Sequence, residues 1–189
     1  MKQDRRTKRT KKLLTDAFID LLTYKKLNEI TIKDLCEKAD INRGTFYLHY
    51  QDIYDLKHQI QTDLYEELAN LISPFTNVKT INSYELFYTL FTFTIKNETL
   101  FRAFLGPNGD ISFLTDLKTL FKDYYLSILL QGHTINATQN LEYAYDFISA
   151  GFTGLVSSWL ESETPASIEE MARLTSRMVF DGLSALLPE

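Results

Sequence analysis

The chain has 189 residues, 44% of them apolar, with only 7 glycines and 4 prolines. That is enough for one large or two modest domains with a real core, and it excludes disordered and fibrous classes. The formal net charge of -5 argues against a polyanionic partner only as an average, because residues 1 to 60 carry 13 Lys or Arg against 9 Asp or Glu and residues 61 to 189 carry 7 against 16; the first third can meet a polyanion and the remainder cannot.

Cys36 is the sole cysteine, so no internal disulfide forms, and its place between Leu35 and Ala39 predicts a reduced, packed thiol. The basic start MKQDRRTKRTKK is not followed by a signal-peptide core. The longest apolar uncharged run, Phe147 to Leu160, has 14 residues, too few to span a bilayer. A cytoplasmic protein without membrane contact is expected.

Taken in order, Leu13, Leu14, Ala17, Phe18, Leu21 and Leu22 form one apolar stripe of a helix ending near Tyr24. KKLNEI breaks it. Thr31 and Asp34 then have the form of a capping box, in which hydroxyl and carboxylate each accept from the other's backbone N–H, opening a two-turn helix with Ile32, Leu35, Cys36 and Ala39 inward. Asp40-Ile41-Asn42 is a short turn, and Asn42 caps a third helix through Tyr47 or Leu48. Asp52 with Asp55 opens a long fourth helix along Ile53, Leu56, Ile60, Leu64, Leu68 and Leu71, closed by Ser73-Pro74. After a polar linker to about Asn82, Tyr84 to Ile95 has strand-forming composition, but Leu86, Leu90 and Phe93 fall at helical spacing without a hairpin signal, which predicts helix. A short helix from Glu98 to Leu105, the loop GPNGD (106–110) and a long helix to about Gln131 come next. Beyond the polar stretch GHTINATQN, two final helices run along Leu141 to Leu160 and, after a Ser167 to Glu170 capping box, Ile168 to Leu186. Both are apolar over a wide arc, which calls for a further partner, most economically a second copy through these last two helices. About nine helices in all predict an all-α fold.

Two short helices joined by a tight turn, the second starting with small and polar residues, suit entry of one helix end into the major groove of DNA. Ile32, Leu35, Ala39, Ile41 and Phe46 would hold the crossing angle. Asn42, Arg43, Gly44, Thr45, Tyr47, Leu48 and His49 would remain on the outside, where Arg43 can take guanine or phosphate, Thr45 suits a thymine edge or a phosphate, and Tyr47 and His49 can donate to phosphates. Gly44 costs about 0.5 to 1 kcal/mol relative to alanine in a helix, which marks close approach of something to the backbone. The basic residues Arg5, Arg6, Lys8, Arg9, Lys11 and Lys12 can add phosphate or minor-groove contacts, or simply solvate a helix start. No HExxH, glycine-rich phosphate loop or GxSxG elbow is present, so no catalytic residue, metal site or cofactor is expected and the protein is not read as an enzyme. A helical protein-interaction module without DNA is the remaining alternative; it would present an acidic or blank surface in place of INRGTFY.

The run TIKDLCEKADINRGTFYLHYQDIYDL resembles the DNA-binding signature of the tetracycline-repressor (TetR) family over roughly residues 10 to 57. The resemblance implies a three-helix DNA-binding head with a helix-turn-helix (residues 1–51) joined to a helical ligand-binding and dimerisation body (residues 52–189). It implies a homodimer on the double-stranded DNA of a palindromic operator, generally a repressor, controlled by an effector that the sequence does not name. Carried over by position, Thr31 falls at the phosphate-contacting start of the second helix, Arg43, Gly44, Thr45, Tyr47 and His49 fall on the recognition helix, and Lys57 matches a less regular phosphate contact. Ile53 departs from the pattern, standing where the family commonly has a phosphate-binding lysine. NETLFRAFLGPNGDISFLTDL and GFTGLVSSWLES resemble the C-terminal domain of the branch that includes the dihydroxyacetone-kinase regulator, where some members activate transcription in response to a partner protein. Phe87, Phe91, Phe104, Phe121, Tyr125 and Phe152 can wall an effector pocket between helices, or serve as the large side chains that a bundle interior needs.

Overall fold

The computed structural model describes residues 2–76, 82–109, 111–129 and 138–183, and among them every regular element is helical. The α-helices are α1 (Lys2–Leu22), α2 (Ile32–Ala39), α3 (Arg43–Tyr47), α4 (Ile53–Ile72), α5 (Ser83–Lys96), α6 (Glu98–Leu105), α7 (Ile111–Leu129), α8 (Thr138–Glu161) and α9 (Ile168–Leu183). Short 3-10 turns at Leu27–Glu29 and Ser73–Thr76 follow α1 and α4. The all-α expectation holds. The segment GHTINATQN, apart from its last residues, and the expected helix ends at Gln131 and Leu186 lie outside the described residues.

Local chemistry explains where these helices begin. The Thr31 hydroxyl accepts from Asp34 N at 3.1 Å while the Asp34 carboxylate accepts from Thr31 N at 3.2 Å, the reciprocal pair that a capping box requires. Ser167 and Glu170 repeat it at α9, at 3.2 and 2.8 Å, and these bonds hold the Glu170 carboxyl below its ordinary range. Before α4 the reciprocity is offset by one residue. Asp52 accepts from Asp55 N at 2.8 Å, but the Asp55 carboxylate takes the N–H of Gln51 at 2.9 Å. The strand-like composition of Tyr84 to Ile95 yields to helix because burial follows the helical period, with Leu86, Phe87, Leu90, Phe91, Phe93 and Thr94 inside.

The chain divides into two compact units, Met1–Tyr65 with Thr99–Leu114, and Glu66–Glu98 with Thr115–Glu189. The first carries 14 Lys or Arg against 11 Asp or Glu and the second 6 against 14, so the charge asymmetry of the sequence is also one between the two units.

The core of the first unit gathers Leu14, Phe18, Leu22, Leu35, Phe46 and Leu56, all essentially inaccessible. Its second cluster centres on Phe113 at the start of α7. This ring is fully buried, stacks on Phe104 of α6 at 4.6 Å and on Tyr65 of α4 at 5.9 Å, and meets Phe101 edge-on at 6.1 Å. The Tyr65 hydroxyl donates to the Phe113 carbonyl at 3.1 Å. In the second unit α5 packs along α9. Phe91 meets Trp159 of α8 edge-on at 5.1 Å and Phe152 at 5.6 Å, while Phe87 meets Phe152 at 5.8 Å and Phe180 of α9 at 6.5 Å. The Trp159 indole N–H donates to Ala166 O at 2.7 Å, fixing the turn between α8 and α9.

Candidate nucleic-acid interface

The helix pair expected from the sequence is built on α1. Two ion pairs tie α2 to it and to the turn that follows, Lys38 with Asp20 and Lys25 with Asp34, the latter at 3.0 Å. Both are partly exposed and contribute orientation more than stability. The Lys25 ammonium, then the Thr31 donors, hold the Asp34 carboxyl below its ordinary range. Asp20 raises the Lys38 ammonium above its own.

The turn is made at Asp40, whose backbone is left-handed at φ 52° and ψ 48°, a conformation costly for most L-residues but tolerated by Asp. Ile41 N donates back to Cys36 O at 3.0 Å, which closes α2 and redirects the chain. Asn42 then caps α3 by accepting from Gly44 N at 2.8 Å. Cys36 is buried beneath this turn, and burial pushes its thiol up.

Phe46 anchors α3 into the core with no exposed surface, flanked by Tyr47 edge-on at 5.5 Å and Tyr50 at 5.7 Å. Leu35, Ala39 and Phe46 are buried as expected, while Ile32 and Ile41 are only half-buried. Tyr50 is 5% exposed and is core. Desolvation, followed by the nearby carboxylates of Asp63 and Asp55, pushes its phenol up to about 12. The opposite side is open: Asn42, Arg43, Gly44 and Tyr47 are exposed, Thr45 and His49 half-buried. Thr31 is exposed at the start of α2, with its hydroxyl engaged in the capping box. Leu48 is 80% exposed, as expected, and Tyr54, 57% exposed, is a further aromatic residue that no motif singled out.

Three residues carry more than their sequence positions suggested. A Cβ at Gly44 would meet nothing but the capping oxygen of Asn42, at 3.3 Å, so the cap itself is one reason for glycine and approach of an outside partner is the other. Ile53 is 6% exposed and belongs to the core, leaving Tyr54 as the outward residue at the start of α4. Lys57 is half-buried, and its ammonium donates to Ser112 Oγ at 2.9 Å. On α1, Arg5, Arg6, Lys8, Arg9 and Lys12 are exposed, and Lys11 lies 5.9 Å over the Tyr50 ring.

The six aromatic residues considered for an effector divide between the units. Phe87, Phe91 and Phe152 form one ring cluster in the second. Phe121 is half-buried on α7 in that unit, and the Tyr125 side chain lies outside the described residues. Phe104 is stacked on Phe113 in the first. No helix among the described residues is long and apolar enough to cross a membrane.

A family profile described as a transcriptional regulator C-terminal region, of TetR type, matches residues 82–181. A Bacillus subtilis (strain 168) protein described as an uncharacterized HTH-type transcriptional regulator, YxbF, is 22% identical over 169 residues, 87% of this chain. The match covers 43% of that relative's length. Among solved structures, a TetR transcriptional regulator from Streptococcus agalactiae 2603V matches with TM-score 0.68 and 22% identity, over 95% of this chain and 98% of the other. The dihydroxyacetone kinase operon activator DhaS matches with TM-score 0.62 and 16% identity, over 93% and 97%. The fatty acid degradation regulator FadR from Bacillus halodurans gives 0.70 and 13%, over 92% and 96%.

Proposed function

Because the chain belongs to the TetR family of transcriptional regulators, we propose that it is a homodimeric repressor that binds a palindromic operator and is released or retained by a small effector. The observation that carries the DNA reading is the α2–turn–α3 pair: Phe46 is locked in the core while Arg43 and Tyr47 of the same short helix, and Asn42 that caps it, stand exposed. Fixed from behind and open in front, such a helix can enter the major groove. Arg43 supplies the base-edge or phosphate contact, Thr45, Tyr47 and His49 supply hydroxyl and imidazole donors, and Thr31 lies at a second helix start. Lys57, already engaged by Ser112, is a weaker anchor than its position suggested. In this reading residues 1–51 contact DNA and residues 52–189 regulate and dimerise, within the cytoplasm.

Dimerisation is assigned to α8 and α9, where Tyr143, Phe147, Leu174 and Met178 are 64%, 81%, 48% and 63% exposed. Tyr143, Phe147, Gly151, Gly154 and Ser158 follow one stripe of α8, and among the described residues nothing lies within 4 Å of a Cβ built on either glycine. Such a stripe lets a second helix come close. The effector is assigned to the rings around half-buried Phe152, with Phe87 and Phe91 behind it and Phe121 and Tyr125 as further candidates on α7; Phe104 is left to the Phe113 cluster. Binding there would shift the balance between two packings of the body, and α4, whose residues belong to both units, would carry the shift to the DNA-binding helices.

Selection from randomised duplex oligonucleotides tests the reading. It should enrich a palindrome whose half-site centres lie about 34 to 36 Å apart. Absence of any enriched palindrome, together with no retardation of the chain's own upstream DNA, refutes it. The position of the selected site relative to a promoter separates repression from the second reading, activation under control of a partner protein.

A further inference from the structure

The second unit holds a cleft with no assigned role. It has a volume of about 420 Å³ and is lined by Phe75 from the turn after α4, by Tyr84, Glu85, Tyr88 and Thr89 of α5, and by Glu169 in the first turn of α9. Its walls combine three aromatic rings with two carboxylates. Tyr84 and Tyr88, one helical turn apart, place their ring centroids at 6.0 Å with 33° between planes. Among the described residues no lysine or arginine lines the cleft, and neither the Glu85 nor the Glu169 carboxylate has a hydrogen bond or ion pair there. Elsewhere in this unit carboxylates do find cations, as Glu67 does with Lys96 and Glu142 with Lys122.

Aromatic faces attract cations through the ring quadrupole, and two carboxylates lining the same cleft add a Coulomb term that a neutral guest does not feel. A carboxylate ligand, a phosphate or a nucleotide would instead meet two like charges with no compensating cation among the described lining residues. The surroundings favour the same sign, because the unit has 8 more acidic than basic residues, a field that concentrates cations around it. We propose that this cleft binds a small organic cation, an alkylammonium or quaternary ammonium compound, with its charge held between Glu85 and Glu169 and its alkyl groups against Phe75, Tyr84 and Tyr88. The proposal does not depend on DNA binding. It concerns a surface different from the Phe152 ring cluster.

The test is a ligand-observed NMR titration of the full chain with choline and with its uncharged isostere 3,3-dimethylbutan-1-ol. Choline should bind saturably and the alcohol should not. The double variant Glu85→Gln/Glu169→Gln should weaken choline binding about tenfold and Tyr88→Leu about threefold. Glu161→Gln/Glu163→Gln, which removes two exposed charges elsewhere in the unit, should leave the affinity unchanged. Circular dichroism of each variant checks that the fold is intact. The proposal is overturned if choline shows no saturable binding, if the alcohol binds equally well, if both double variants lose affinity alike, or if equimolar Mg²⁺ displaces choline.

Discussion

Replacing Phe147 by glutamate separates folding from assembly. The ring is 81% exposed on α8, so within one copy the change removes little packing and should alter unfolding free energy by no more than about 0.5 kcal/mol. In the proposed dimer the same ring is buried against a second copy. With roughly 200 Å² of surface for a phenylalanine, the exposed fraction amounts to roughly 160 Å², or about 4 kcal/mol per ring at 25 cal/mol per Å². A two-fold interface uses each residue twice, doubling this to about 8 kcal/mol before the desolvation of the new carboxylate is counted. Part of that is offset by side-chain ordering, so a rise of at least about a thousandfold in the dimer dissociation constant is the conservative expectation. Sedimentation velocity over a concentration series measures it, and a chemical melt at a concentration where both proteins are monomeric supplies the control. A Phe147→Glu protein that stays dimeric with an unchanged dissociation constant would refute the assignment of α8 to the interface. The complementary variant, Gly151→Ala/Gly154→Ala, should add about 0.5 to 1 kcal/mol per site to the isolated fold while weakening association, because the added methyl groups have space in one copy and not in two.

Arg43→Ala should weaken operator binding at least tenfold and relax preference at one position of each half-site, as a lost bidentate base contact worth about 1 to 3 kcal/mol would; fluorescence anisotropy against the selected site and its single-base variants measures both. Tyr50 titrates near 10 when unfolded and at about 12 when folded, so its contribution to stability is full below pH 10 and is lost as pH rises toward 12. The stability difference between the wild type and Tyr50→Phe, followed by urea unfolding, should therefore fall by about 2 kcal/mol across that window; a flat difference would mean the phenol ionises freely in the folded chain. Asp34 has the opposite sign. Its folded value is depressed by Lys25 and Thr31, so its contribution is present above the unfolded value near 3.8 and is lost as pH falls through the lower folded one. Thermal melts should show Asp34→Asn less stable than wild type at pH 7, with the gap closing on acidification.

The sequence carried local information well because capping is a contact between near neighbours. Thr31 with Asp34, Asn42 with Gly44 and Ser167 with Glu170 lie at most three residues apart, and their spacing alone gives the helix starts. Periodicity likewise tells which face of α5 is apolar. It does not tell what covers that face: the pairing of α5 with α9 joins segments more than 70 residues apart, and nothing in either stripe names the other. The same limit hid the bond from Lys57 to Ser112, 55 residues away, which gives a candidate phosphate anchor a second, internal role. It also hid the stacking of Phe104 on Phe113, which moves one expected effector residue into the core of the other unit. Gln61 illustrates a residue that pattern reading passes over altogether. It lies on the apolar side of α4 at 5% exposure, and its Nε2 has no hydrogen-bond partner among the described residues.

The pairing of α5 with α9 also fixes an order of events on the ribosome. The ends of these helices, Lys96 and Leu183, are 87 residues apart in synthesis, which at 5 to 20 residues per second is roughly 4 to 17 seconds. For that interval the Phe87 and Phe91 face of the nascent helix has no α9 to pack against. The α1 to α3 helices meet their neighbours almost as soon as they are made. The nascent chain therefore completes its helix-turn-helix early and carries an unfinished, aromatic second half, which makes α5 the segment where a chaperone or a neighbouring nascent copy would first take hold.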